Sequence, residues 1–312
     1  MKSFIITIDT EGDNLWEWKQ GKPVTTENVK YLSRFQELCD GYGFKPVWLT
    51  NYEMISDPEY VNFITKVEDT GTGELGMHLH AWSTPPEYSL DIKEQGAPYL
   101  IEYPTDIMEQ KIAVMTEELR SQTGIVPVTH RAGRWAMNTT YFELLKKYGY
   151  HIDCSVTPHE DWTGHVGAAE GSGGSNYTDS PEDAYWIDPE RTVLEVPLTV
   201  RHTHSFFLPE RLTPRSLAGS MKRAVKGENI WLRPGHSSPK QMRFLIDQIA
   251  QSESDYLMFM LHSSEFMPGG SPNFKTAESI EQLFDTIRQL FDQIAREFEG
   301  ITLREYYKKR QS

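Results

Sequence analysis

Seven short runs rich in β-branched and aromatic residues recur along the chain, at 3–8, 46–50, 74–80, 126–130, 151–155, 193–198 and 256–261. Segments whose apolar residues follow a helical period separate them. This alternation prescribes an α/β architecture with a largely parallel sheet. Seven or eight such units suggest a closed barrel. Val29, Leu32, Phe35, Leu38 and Cys39 form one helical stripe, stopping at Gly41 and Gly43. Ser238-Pro239-Lys240-Gln241 is a strong helix start, combining an N-cap hydroxyl, a first-turn proline and a glutamine able to close a capping box. A last long helix is expected to carry Ile280, Leu283, Phe284, Ile287, Leu290, Ile294 and Phe298 and to end at Gly300.

Of 312 residues, 38% are hydrophobic, enough to close one large core or two smaller ones. No linker, repeat or low-complexity tract is evident, so one catalytic domain over 1–312 is expected. Loop insertions are expected near 83–104 and 157–189, the second containing the small polar run from Gly167 to Ser175. A formal charge of −14 and a pI near 5.2 would repel phosphate backbones and anionic membrane surfaces, so no nucleic-acid partner is expected. Cys39 and Cys154 show no disulfide spacing and fit a reducing compartment. Phe4 to Ile8 runs straight into Asp9, Glu11 and Asp13, which suits a first strand and not a secretory signal. No stretch approaches the roughly 20 apolar residues of a membrane span. A soluble, cytoplasmic protein is the expectation.

Four segments place reactive side chains at or just past strand ends, where parallel barrels assemble active sites. In Ile8-Asp9-Thr10-Glu11, residues two apart share a side, so both carboxylates can face one mouth. Two acids that close need a cation or a proton between them. In His78-Leu79-His80 both imidazoles likewise share a side, an arrangement that suits a divalent metal. Arg131 can grip a catalytic carboxylate by a two-pronged hydrogen bond. His262 ends an apolar strand and can serve as general acid. Each segment alone also has a plain structural reading: an acidic loop, core histidines or a surface arginine.

In this order, from Asp9 to His262, the segments resemble the polysaccharide deacetylase family with the NodB homology domain, also called carbohydrate esterase family four. The resemblance implies a NodB-type distorted (β/α)7–8 barrel with Asp9 as general base and Glu11, His78 and His80 as metal ligands. Arg131 would orient the base, and His262 would be the acid. Asp161-Trp162 would stand for the family's aspartate and tryptophan that contact the arginine and the acetyl pocket. Three departures stand out: Thr10 separates the two acids, the second of which is glutamate; Trp82 occupies the usual second-histidine position, so His80 substitutes; and Gly133-Arg134-Trp135 follows the arginine. The implied activity is metal-dependent removal of an N-acetyl or related acyl group from a sugar, as in non-secreted variants of capsule and lipopolysaccharide biosynthesis. Mixed imidazole and carboxylate donors suggest zinc, with iron, cobalt, nickel or manganese able to occupy the same triad. Trp82, Trp135 and Trp162 are candidate sugar-stacking surfaces. The alternatives are a metal-independent glycoside hydrolase using Asp9 and Glu265, and a non-catalytic glycan binder.

Overall fold

In the run Lys2–Thr10 every residue after Lys2 is buried, the mark of a strand covered on both faces. A computed structural model describes residues 1–17, 22–90, 97–168, 173–208 and 213–311. Its strands are β1 (Lys2–Thr10), β2 (Pro46–Thr50), β3 (Glu74–Leu79), β4 (Thr129–Ala132), β5 (Ile152–Asp153), β6 (Tyr185–Trp186), β7 (Leu194–Glu195), β8 (Val200–Thr203), β9 (Glu228–Trp231), β10 (Tyr256–His262) and β11 (Phe298–Gly300). The helices are α1 (Leu32–Tyr42), α2 (Tyr52–Ile55), α3 (Pro58–Asp69), α4 (Thr105–Thr123), α5 (Thr139–Lys147), α6 (Pro214–Lys226), α7 (Pro239–Gln251), α8 (Ala277–Ile294) and α9 (Leu303–Gln311).

The main sheet runs β10-β1-β2-β3-β4-β5-β7-β6, with β11 also on β1. Every pairing in it is parallel except β6 with β7. It curls into a half-barrel and, against the expectation of a closed barrel, does not close through a strand ladder among the described residues. Among the described residues no strand ladder joins β7 to β10; single hydrogen bonds bridge that side. Thr199 Oγ1 accepts from Met258 N at 2.8 Å, and Leu232 O accepts from Met260 N at 3.3 Å.

Side chains alternate across each strand, and the two faces feed two cores. Phe4, Ile6 and Ile8 of β1, Leu75, Met77 and Leu79 of β3, and Leu257, Phe259 and Leu261 of β10 pack with the helices. Ile5, Val47, Leu49, Met258 and Met260 fill the inside of the curl. The inner row of β1 therefore continues from Ile5 through Thr7 to Asp9. Its reactive carboxylate lies at the C-terminal end of the strand.

The helix signals hold at α1, which ends on Gly43 in the left-handed region (φ 68°), and at α7, where Ser238 accepts from Gln241 N and Gln241 Oε1 accepts from Ser238 N. The last long helix differs. It stops at Ile294, and Phe298, which continues its apolar period, instead belongs to β11 beside β1. The expected strand 126–130 is also displaced: Val126 is exposed, Pro127 has no N–H to give, and pairing with β3 begins past it. Residues 91–96 and 169–172, parts of the two expected insertions, lie outside the described residues. No described helix is long and apolar enough to cross a membrane.

Candidate functional site

Strand register brings the four segments together. Asp9 lies beside His262, and His78 beside Arg131. These residues, with Glu11 and His80 just past β1 and β3, gather where the parallel strands end.

Glu11 Oε2 stands 3.2 Å from His80 Nε2 and 3.6 Å from His78 Nε2, and the two ring nitrogens are 3.0 Å apart. Ligand atoms around a tetrahedral zinc ion sit about 3.4 Å from one another, so this triangle has the dimensions a divalent ion requires. All three side chains are buried, and their donor atoms lie within 4.8 Å of one another. His78 Nδ1 is 3.0 Å from Arg131 O. A carbonyl only accepts, so the proton sits on Nδ1 and the Nε2 lone pair faces the centre. His80 stacks on Trp82 with ring centroids 4.4 Å apart. Gly133 closes the other side: a Cβ there would lie 2.6 Å from both His80 Cδ2 and Leu79 O. Burial would raise the Glu11 carboxyl, but His262, His78 and His80 outweigh it and hold it well below the usual range.

Arg131 is fully buried. It donates from Nη1 to Asp9 Oδ1 at 2.6 Å, from Nη2 to Thr7 Oγ1 at 2.9 Å and from Nε to Cys154 O at 2.9 Å. The expected two-pronged grip on one carboxylate is thus split between Asp9 and Thr7. The split leaves Asp9 Oδ2 facing the centre, 3.9 Å from His78 Nε2 and 3.8 Å from His262 Nε2. Burial pushes the Asp9 carboxyl up, but Arg131, His78 and His262 together bring it below its ordinary value.

His262 Nδ1 receives a hydrogen bond from Arg233 Nη2 at 2.9 Å, with Glu265 Oε2 at 3.4 Å. A guanidinium has no acceptor, so the neutral ring carries its proton on Nε2, toward Asp9 and Glu11. Glu265 is fully buried, also accepts from His262 N, and stays ionised because Arg233 and His262 outweigh its desolvation.

A cleft of about 390 Å³ opens over these groups. Trp82, Trp135 and Trp162 line it, as do Trp16, Arg134 and Arg233, which sequence reasoning missed. Trp16 sits five residues past Glu11 on the loop leaving β1. Its Nε1 donates to Ser264 Oγ at 3.0 Å, and its ring meets His262 edge-on at 4.9 Å. Arg233 follows β9, a strand the apolar pattern did not reveal. Arg134 and Trp135 take left-handed φ of 56° and 63°, a conformation costing about 1–3 kcal/mol each. Tyr177 OH donates to Trp135 O, and Arg134 donates to Ala97 O and Val166 O over the Tyr99 ring.

The structure does not bring Asp161 to Arg131. Its carboxylate is exposed and accepts from Thr163 N and Oγ1 at 2.9 and 2.6 Å, closing a local turn. Asp153, on β5, is taken up by His130 Nδ1 at 2.6 Å and Ser155 Oγ at 2.9 Å.

No protein-family model and no curated protein matches the sequence. By structure the chain is similar to a candidate polysaccharide deacetylase from Mycobacterium smegmatis, with TM-score 0.55 and 13% identity, covering 99% of this chain and 91% of that one. It is also similar to 4-alpha-glucanotransferase from Thermococcus litoralis, with TM-score 0.57 and 12% identity, covering 99% of this chain and 40% of that one. At such identities the likeness is one of fold. The curled parallel sheet, its register and these similarities together establish that the chain is built on the α/β half-barrel of the polysaccharide deacetylase type.

Proposed function

We propose that this protein is a metal-dependent carbohydrate deacetylase, removing an N-acetyl or related acyl group from a sugar in glycan biosynthesis. The observation that carries the reading is the triangle of Glu11, His78 and His80 donors, 3.0 to 3.6 Å on a side, with Asp9 Oδ2 beside it. Zinc suits these donors best; iron, cobalt, nickel or manganese could take the same place. When bound, the ion supplies a Lewis acid for the acyl carbonyl and lowers the pKa of water.

The chain's own groups do the rest. Asp9 Oδ2 takes a proton from the attacking water, while Arg131 holds Oδ1 and keeps the carboxylate ionised. His262 Nε2 faces the cleft; as the imidazolium, with Nδ1–H turned to Glu265, it donates its Nε2 proton to the departing amine and returns to the neutral ring. Trp82, Trp135 and Trp162, with Trp16, offer faces for a sugar ring. The products are acetate and an amino sugar. Cys39 and Cys154, both buried and unpaired, favour a reducing, cytoplasmic setting.

The glycoside hydrolase alternative requires Glu265 as an acid at the cleft. Glu265 is instead wholly buried behind His262 and ionised, so the geometry does not favour it. The test is acetate release from a panel of N-acetylated sugars by metal-replete protein, with Asp9→Asn as control. Release that requires metal and Asp9 is expected. Glycan binding without release, or activity surviving both chelation and His78→Ala, would overturn the reading.

A further inference from the structure

Helix α6 has its amphipathic order inverted. Of its 13 residues only Ser220 is buried. Leu217, Met221 and Val225, four apart, lie on one side, yet Met221 is 62% and Val225 79% exposed. Phe206 and Leu208, each 50% exposed, lie on the segment leading toward this helix, and Leu208 lines a shared hollow with Ser220 and Arg223. The exposed apolar side chains of the helix thus share one solvent-facing side, where a monomer ordinarily shows them singly.

The charge of this helix is equally uneven. It carries Arg215, Lys222, Arg223 and Lys226 and no acidic residue, within a chain of formal charge −14. Arg223 is paired with Glu228 at 3.3 Å. Among the described residues no ion pair engages Arg215, Lys222 or Lys226. Helical spacing sets Lys222, Arg215 and Lys226 alongside the apolar stripe. An exposed apolar stripe flanked by cations is the pattern of a helix lying in the interface of an anionic bilayer, with apolar side chains among the acyl chains and ammonium groups at the headgroups. The hollow beneath α6 is also lined by Ser238 and Gln241, which open α7 five residues after Arg233 of the cleft. The exposed helix thus belongs to the end of the sheet on which the cleft opens.

We propose that the exposed face of α6 docks the protein peripherally on an anionic lipid surface. Net charge predicts repulsion from such a surface; the local charge of α6 reverses that prediction for one face. The inference stands apart from the deacetylase reading, and its test needs no substrate. The full-length protein is sedimented with vesicles of phosphatidylcholine alone, and with vesicles of equal parts phosphatidylcholine and phosphatidylglycerol, at low and high salt. Binding is expected only to the anionic vesicles and should weaken with salt. Met221→Asp/Val225→Asp should lower partitioning about tenfold or more, and Lys222→Glu/Lys226→Glu at least about twentyfold. Lys30→Glu/Lys308→Glu, the same charge change elsewhere, should alter it less than about threefold. All variants change exposed side chains, and matching circular dichroism and melting profiles would exclude misfolding as a cause. Absence of vesicle binding by the folded wild type would overturn the proposal. So would equal losses in the remote pair, or a lipid-free dimer that Met221→Asp/Val225→Asp dissociates, which would make α6 a self-association face.

Discussion

Asp9 keeps its charge in a buried place because Arg131 lies 2.6 Å away and two histidines face it. Removing one member of such a pair leaves the other charge uncompensated, at a cost of about 3–5 kcal/mol. Arg131→Met should destabilise the fold by that amount in denaturant unfolding, and adding Asp9→Asn should restore part of it. Equal stability of wild type and Arg131→Met would show that the pair contributes nothing net. Asp9→Asn alone should retain metal while hydrolysis falls by about 10²-fold or more. Gly133 acts on the neighbouring histidine by lacking a side chain. Gly133→Ala should push His80 and weaken metal binding by about 10- to 100-fold, measured by competition with a chelator. Unchanged affinity would mean that the backbone yields at no cost to the site.

At the scale of elements, α4 supports the site from outside. Its Lys111 is buried and donates to Thr84 O and Pro86 O, tying down the segment that follows His80 and Trp82. Desolvation brings its ammonium down from 10.5 to about 8. Between those values the unfolded chain holds a proton that the folded chain does not, so this group makes stability rise with pH across the window and withdraws that contribution as pH falls toward 8. The unfolding free energy of wild type minus that of Lys111→Met should increase by up to about 3 kcal/mol from pH 8 to 10.5. A flat difference would mean that the lysine is solvated. The elements readable in the sequence are those whose signal is local. Ser238 and Gln241 carry their capping bonds within four residues, and the inner and outer rows of β1, β3 and β10 follow from alternation alone. Asp9, Glu11, His78, His80, Arg131 and His262 could be read because each ends or follows an apolar run. Phe298 could not, since only its pairing with β1 distinguishes a strand from one more helical turn. Arg233 was hidden behind the four-residue β9, and Asp161 was misplaced because its role depends on where an irregular loop lies in space.

On the scale of the whole molecule, the fold leaves the chemistry open. The same half-barrel is similar to a candidate deacetylase and to a glucanotransferase, and a shared scaffold hosts different reactions. The proposed reading rests on the donor set at the strand ends, and the most direct test is of those donors. Protein stripped with chelator and titrated with zinc in a calorimeter should bind one ion per chain, and His78→Ala, His80→Ala and Glu11→Ala should each greatly weaken or abolish that binding while the fold persists. Wild-type protein that takes up no ion, or variants that bind as tightly as wild type, would contradict the account.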